Sequence, residues 1–144
     1  LPALRSGLHH GVADLTLGEF IGQAVRTPFA WGRFDCCLWL ADWLVAQGCP
    51  DPAEDLRGRY RDADGGVRLL ARHGGVLGVV RACADRAGLA PADPPIAGDV
   101  GVLGLAERDR VTQVGALCTG RRWALLTEGG LSSVEAVPLA AWRV

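Results

Sequence analysis

Residues 28–44, PFAWGRFDCCLWLADWL, decide how this chain is read. A proline and an aromatic loop lead into Asp35, whose short carboxylate suits a helix N-cap, and apolar residues then recur at helical spacing. Cys36, Leu40, Trp43 and Leu44 trace one stripe, Trp39 widens it, and Gly48 and Pro50 stop it. The spacing predicts a helix that is buried over most of its surface. It also places a cysteine in the first turn, directly after a glycine-containing loop. A thiol there meets the positive end of the helix dipole and N–H groups without intrahelical acceptors, which favour thiolate and can hold a developing oxyanion. Cys36 is therefore the candidate nucleophile. The charge of Asp35 opposes thiolate formation, although as an N-cap that charge is directed at backbone N–H groups.

On the N-terminal side, Thr16 and Glu19 form a T-x-x-E capping box. Leu17, Phe20, Ile21, Ala24 and Val25 follow on one face until Pro28, which predicts a helix with that face inward. Residues 1–15 carry little period and are expected to form an arm that docks on something, leaving 16–144 as a single domain.

On the C-terminal side, residues 51–63 (DPAEDLRGRYRDA) read as a solvated, turn-rich loop with one helical turn. Arg57, Arg59 and Arg61 cluster there around Tyr60, as a solvated face or as a contact for an acidic partner surface. Helical patterns follow near 65–73 and 76–87, divided by Gly74 and Gly75, with Val76, Val79, Val80 and Cys83 inward in the second. After PADPPIAG, whose prolines exclude both helix and central strand, the period becomes strand-like near 99–105, 111–118, 122–128 and 134–143. T-G-R-R at 119–122 suits a tight hairpin, and the pattern predicts an antiparallel meander. Helices first and strands afterwards give an α+β fold with N-terminal helices packed on a C-terminal antiparallel sheet.

Composition narrows the function. The 144 residues are 49% hydrophobic and 22% charged with a formal net charge of -1, so no overall basic field draws the chain to nucleic acid. No apolar run approaches the ~20 residues that cross a bilayer, and the N-terminal stretch lacks the charged and apolar regions of a signal peptide, which predicts a soluble, unexported chain. The five cysteines are an odd number without a C-x-x-C pair, which argues for reduced thiols and against a metal site. Side chains of the adjacent Cys36 and Cys37 leave a helix about 100° apart and are not expected to pair. Trp31, Trp39, Trp43, Trp123 and Trp142 serve core packing or an aromatic binding platform. No cofactor is expected.

Phe29, Trp31, Gly32, Asp35 and Cys36 together resemble the signature of the NlpC-type cysteine peptidases, cell-wall hydrolases with a compact papain-like fold. Gly98-Asp99-Val100 is similar to the G-D-[LV] opening of that family's first core strand, and V-T-Q-V-G-A-L at 111–117 to its next strand, which normally carries H-[VA]-G-[IL]. The doubled Cys36-Cys37, Ala41-Asp42-Trp43 and Arg57-Gly58-Arg59-Tyr60 resemble more closely a small family of unknown function encoded in tail-gene clusters of tailed phages and prophages. The resemblance implies a vestigial catalytic pair of Cys36 and Gln113; Trp31, Asp35, Arg57, Arg59 and Tyr60 are the candidate binding residues.

Gln113 occupies the place of the catalytic histidine. A primary amide forms hydrogen bonds but takes no proton, whereas imidazole general acid–base catalysis contributes roughly 10²- to 10⁴-fold. No histidine follows His73, His9 and His10 lie in the arm, and the third polar position of the triad falls near Leu126 or Thr127. The expectation is a non-catalytic phage tail or tail-tip component, assembled in the host cytoplasm, carried in the virion and docked to other tail proteins. The alternative is an active cysteine peptidase or amidase acting on peptidoglycan peptides through Cys36, and a third reading is a binding module without turnover.

Overall fold

A computed structural model describes residues 15–144. The expected arm falls almost wholly outside the described residues. The helices are α1 (Leu17–Val25), α2 (Cys36–Ala46), α3 (Ala63–Arg72) and α4 (Gly75–Arg86), followed by β1 (Val100–Glu107), β2 (Arg110–Cys118), β3 (Trp123–Thr127), β4 (Gly130–Val134) and β5 (Ala140–Trp142). The arrangement is α+β, with the helices N-terminal to an antiparallel sheet. No helix among the described residues is long and apolar enough to cross a membrane.

The capping box of α1 forms as expected: Glu19 N–H donates to Thr16 Oγ1 at 3.1 Å, and Thr16 N–H to Glu19 Oε1 at 3.0 Å. Those bonds hold the Glu19 carboxyl below the usual carboxylate range. Only Phe20 and Ala24 of α1 are buried, with Phe20 stacked on Trp39 at 5.6 Å and tilted on Trp43 at 5.1 Å. Val25, expected inward, is 70% exposed, because the buried edge of α1 is narrow, Phe20 and Ala24, and Val25 lies off it.

Helix α2 is central. Eight of its eleven residues are buried, and Trp43 Nε1 donates to Gly98 O at 2.8 Å, which ties the helix to the entry of β1. Asp62 caps α3 through Gly65 N–H at 2.7 Å and starts that helix at 63 rather than 65.

The sheet order is β4-β3-β2-β1-β5. The expected meander holds for β1 to β3, with Thr119 N–H to Arg122 O at 2.9 Å closing the T-G-R-R turn, and β4 continues it. Two expectations need correction. The strand near 134–143 is interrupted over 135–139, and β5 returns to the far edge and pairs with β1 instead of extending the meander. Pro138 has no N–H for a ladder, which is why the run breaks there. Strand β4 escapes the sequence reading because Ser132 and Ser133 give it no apolar alternation, while Gly130 at φ 111 turns the chain into it.

Both faces of the sheet are covered, so its central strands read as continuous apolar runs. Val100, Val102, Leu117, Leu126 and Trp142 meet the helices, and Leu103, Val114, Ala116, Cys118, Trp123 and Leu125 pack on the other side beneath Ala92 and Ala136.

Residues 51–62 are not the solvated loop expected. Pro52, Ala53 and Leu56 are buried, and Ala53 and Leu56 pack with Leu38, Ala41, Val79 and Cys83. Their charged neighbours hide this in the sequence, because Asp42, one of the two acidic partners of Arg57, lies on α2.

Asp99 is 1% exposed and accepts from Ile96 N–H at 2.8 Å, Arg143 Nε at 3.0 Å and Val144 N–H at 3.3 Å, fastening the last residues beneath β1. Replacing Asp99 with Ala leaves those donors unpaired and is expected to lower stability by about 3 kcal/mol. Urea unfolding measures this, and an unchanged midpoint would show that the C-terminal fastening contributes nothing.

Candidate functional site

The chain enters α2 through a tight loop. Ala30 N–H donates to Phe34 O at 2.9 Å and Phe34 N–H to Ala30 O at 2.7 Å, closing Trp31, Gly32 and Arg33 into a turn. Gly32 has φ 79, and a Cβ on it would collide with the carbonyl oxygen of Tyr60. Only glycine lets the two loops lie against each other. Gly58 N–H then donates to Gly32 O at 2.8 Å.

Asp35, 2% exposed, is the node. One oxygen accepts from Leu38 N–H at 3.0 Å, which is the helix cap read from the sequence. The other accepts from Gly32 N–H at 2.9 Å and from the Tyr60 hydroxyl at 2.5 Å. Burial and then the Asp35 carboxylate push the Tyr60 hydroxyl well above its usual range, so it stays a proton donor. Tyr60 belongs to the strap formed by residues 51–62; four residues before it Leu56 is core, and between them Arg57 reaches back to α2. Its guanidinium lies 2.8 Å from Asp42 and 2.7 Å from Asp51. The strap thus grips α2 at two points, through Tyr60 at the N-cap Asp35 and through Arg57 at Asp42, about two turns along.

The basic cluster expected around Tyr60 is accordingly split. Arg57 and Tyr60 are half-buried and engaged, whereas Arg59 and Arg61 are exposed. Trp31 is half-buried, edge-on to Phe29 at 4.8 Å and close to where Gly66 faces the Tyr60 ring. The other four tryptophans are core.

Cys36 is half-buried at the first helical position, with both it and Cys37 free thiols. Their sulfurs approach to 3.9 Å, closer than diverging side chains suggest, as an S–H···S contact. The contact with Cys37 and the N–H of Gly115 hold the Cys36 thiol below its usual range, against burial and the Asp35 charge. Cys37 moves the opposite way, raised by Cys36 and by full burial. Gly115 is placed by close packing, since a Cβ there would meet Leu40 at 2.9 Å and the Cys36 carbonyl at 3.2 Å. One thiol at this helix start is therefore predisposed to ionise, beside a backbone donor from the sheet.

Gln113, two residues before Gly115 on β2, shares its face of the sheet. Its Oε1 accepts from Leu77 N–H at 3.0 Å, in the first turn of α4. That helix begins at Gly74, which has no side chain to cap it. Gln113 therefore does for α4 what an N-cap residue does elsewhere, from a different strand. The sequence held one clue: a helix opening on two glycines needs an acceptor from outside itself.

His73, the histidine among the described residues, is exposed at the C-cap of α3. Leu126 is core, and Thr127 Oγ1 closes the β3–β4 turn by donating to Gly130 O at 3.1 Å. His9 and His10 lie outside the described residues. Among the described residues no cluster of His, Cys, Asp or Glu could hold a metal ion.

Tyr60→Phe removes a bond to a buried carboxylate and is expected to lower stability by roughly 1.5–3 kcal/mol. Gln113→Ala uncaps α4 and is expected to lower it by about 1 kcal/mol. Chemical denaturation of each variant checks both, and hydrogen exchange at Leu77 should quicken only in the second.

No curated protein and no solved structure matches this chain. The model of one family, described as Domain of unknown function (DUF6950), matches residues 12–144. The match spans the loop, both ends of α2, the strap and the whole sheet, and the chain belongs to that family.

Proposed function

We propose that this chain is a structural or assembly component of a phage tail or tail tip, built on an NlpC-like scaffold whose hydrolytic site no longer turns over. The observation that carries the reading is the engagement of Gln113. At the position where the resemblance calls for a general base stands an amide whose oxygen is taken by the first turn of α4. A thiolate at Cys36 would have no imidazole from that strand to protonate a leaving amine. The tail assignment rests on the likeness of Cys36-Cys37, Ala41-Asp42-Trp43 and Arg57-Gly58-Arg59-Tyr60 to tail-cluster proteins. In this structure those segments meet: Asp42 pairs with Arg57, and Asp35 holds Tyr60. Motifs that lock a fold together suit a protein that works by being assembled, with neighbouring tail proteins as its partners.

The placement of the half-buried Cys36 thiol in the first turn of α2 favours a second reading, a cysteine peptidase or amidase on peptidoglycan peptides with a base supplied from elsewhere. One experiment separates the two. Because Cys36 is lowered and Cys37 raised, iodoacetamide should label Cys36 first, with a rate that climbs at lower pH than for an ordinary cysteine. Peptidoglycan fragments incubated with the same protein should stay intact. Cleavage that disappears in Cys36→Ala, with the fold retained, would establish the peptidase. Mass spectrometry of purified virions tests the assembly role, which fails if the chain is missing from tails.

A further inference from the structure

Away from Cys36, on another face of α2, a groove of about 860 Å³ runs between α1, α2 and the strap. Phe20, Trp39 and Ala46 form its buried floor, and Leu15, Phe34 and Val45 are half-exposed along it. Its charge is one-sided. Glu19, Asp42 and Asp51 line it against a single guanidinium, Arg57, which two of those carboxylates already hold. Burial pushes the Asp42 carboxyl up even with Arg57 beside it, and the negative charge of Asp51 adds to this.

The geometry points to this groove as a docking site for a peptide segment of a partner protein that presents apolar side chains flanked by arginine or lysine. The apolar floor accepts the former and the acidic rim the latter. A second copy of this chain, bound symmetrically, would set the acidic rim against itself, which like charges oppose. The inference does not depend on the tail assignment, since it uses only the walls and charges of the groove.

The test uses the full chain and fluorescence anisotropy of a labelled peptide repeating Leu-Leu-Arg, beside peptides repeating Leu-Leu-Glu and Ser-Ser-Arg. The first should bind at least about tenfold more tightly than either counterpart and should weaken as salt is raised. Glu19→Gln, which keeps the capping box but removes a rim charge, should weaken binding about threefold. Val45→Arg, at a half-exposed wall, should weaken it about tenfold or more. Equal binding of the glutamate peptide, or binding untouched by Val45→Arg, overturns the proposal. So does a tenfold tightening in a Leu4→Ser/Leu8→Ser variant, which would make residues 1–14 the occupant. Self-association abolished by Val45→Arg would assign the groove to a second copy and overturn it equally.

Discussion

The carboxylate of Asp35, almost sealed from solvent, holds three donors from three different segments. A buried charge survives only when its hydrogen-bonding capacity is filled, so each donor is fixed by the demand of the same group. The tight loop, the start of α2 and the strap are therefore one unit. Because α2 packs on β2 at Gly115 and is tied to β1 through Trp43, that unit also sets where the sheet lies. The position of Cys36, one residue along, follows from the same anchor.

What the sequence made legible was whatever depends on neighbours within a turn or two. The Thr16–Glu19 box, the Asp35 cap and the long strands β1 and β2 announce themselves through residues three or four apart or through sustained apolar runs. Features that depend on distant partners did not. Arg57 looks solvated until Asp42, on another element, is placed beside it, and Leu56 looks incidental until Leu38 and Val79 cover it. Strand β4 is held by its ladder with β3 and by Leu131 and Val134 against the core, too few apolar residues to make a pattern, and β5 takes an edge that no local pattern names.

The candidate site shows the same division. A thiol at a helix start, and the charge beside it, could be read directly. The S–H···S contact that lowers one cysteine and raises its neighbour needs the backbone in place. The use of Gln113 could be read only as a missing base. Its positive role at α4 required knowing that the helix opens on glycines without a cap and that β2 passes in front of it.

That role has an evolutionary corollary. An imidazole introduced at position 113 would inherit the demand of the Leu77 N–H, and a ring nitrogen that accepts this bond has given up the lone pair a general base must offer. A histidine at 113 with a free basic nitrogen would take paired changes, one to bring the imidazole and another to give α4 a new start. The helix opening thus works as a ratchet on the strand position facing it.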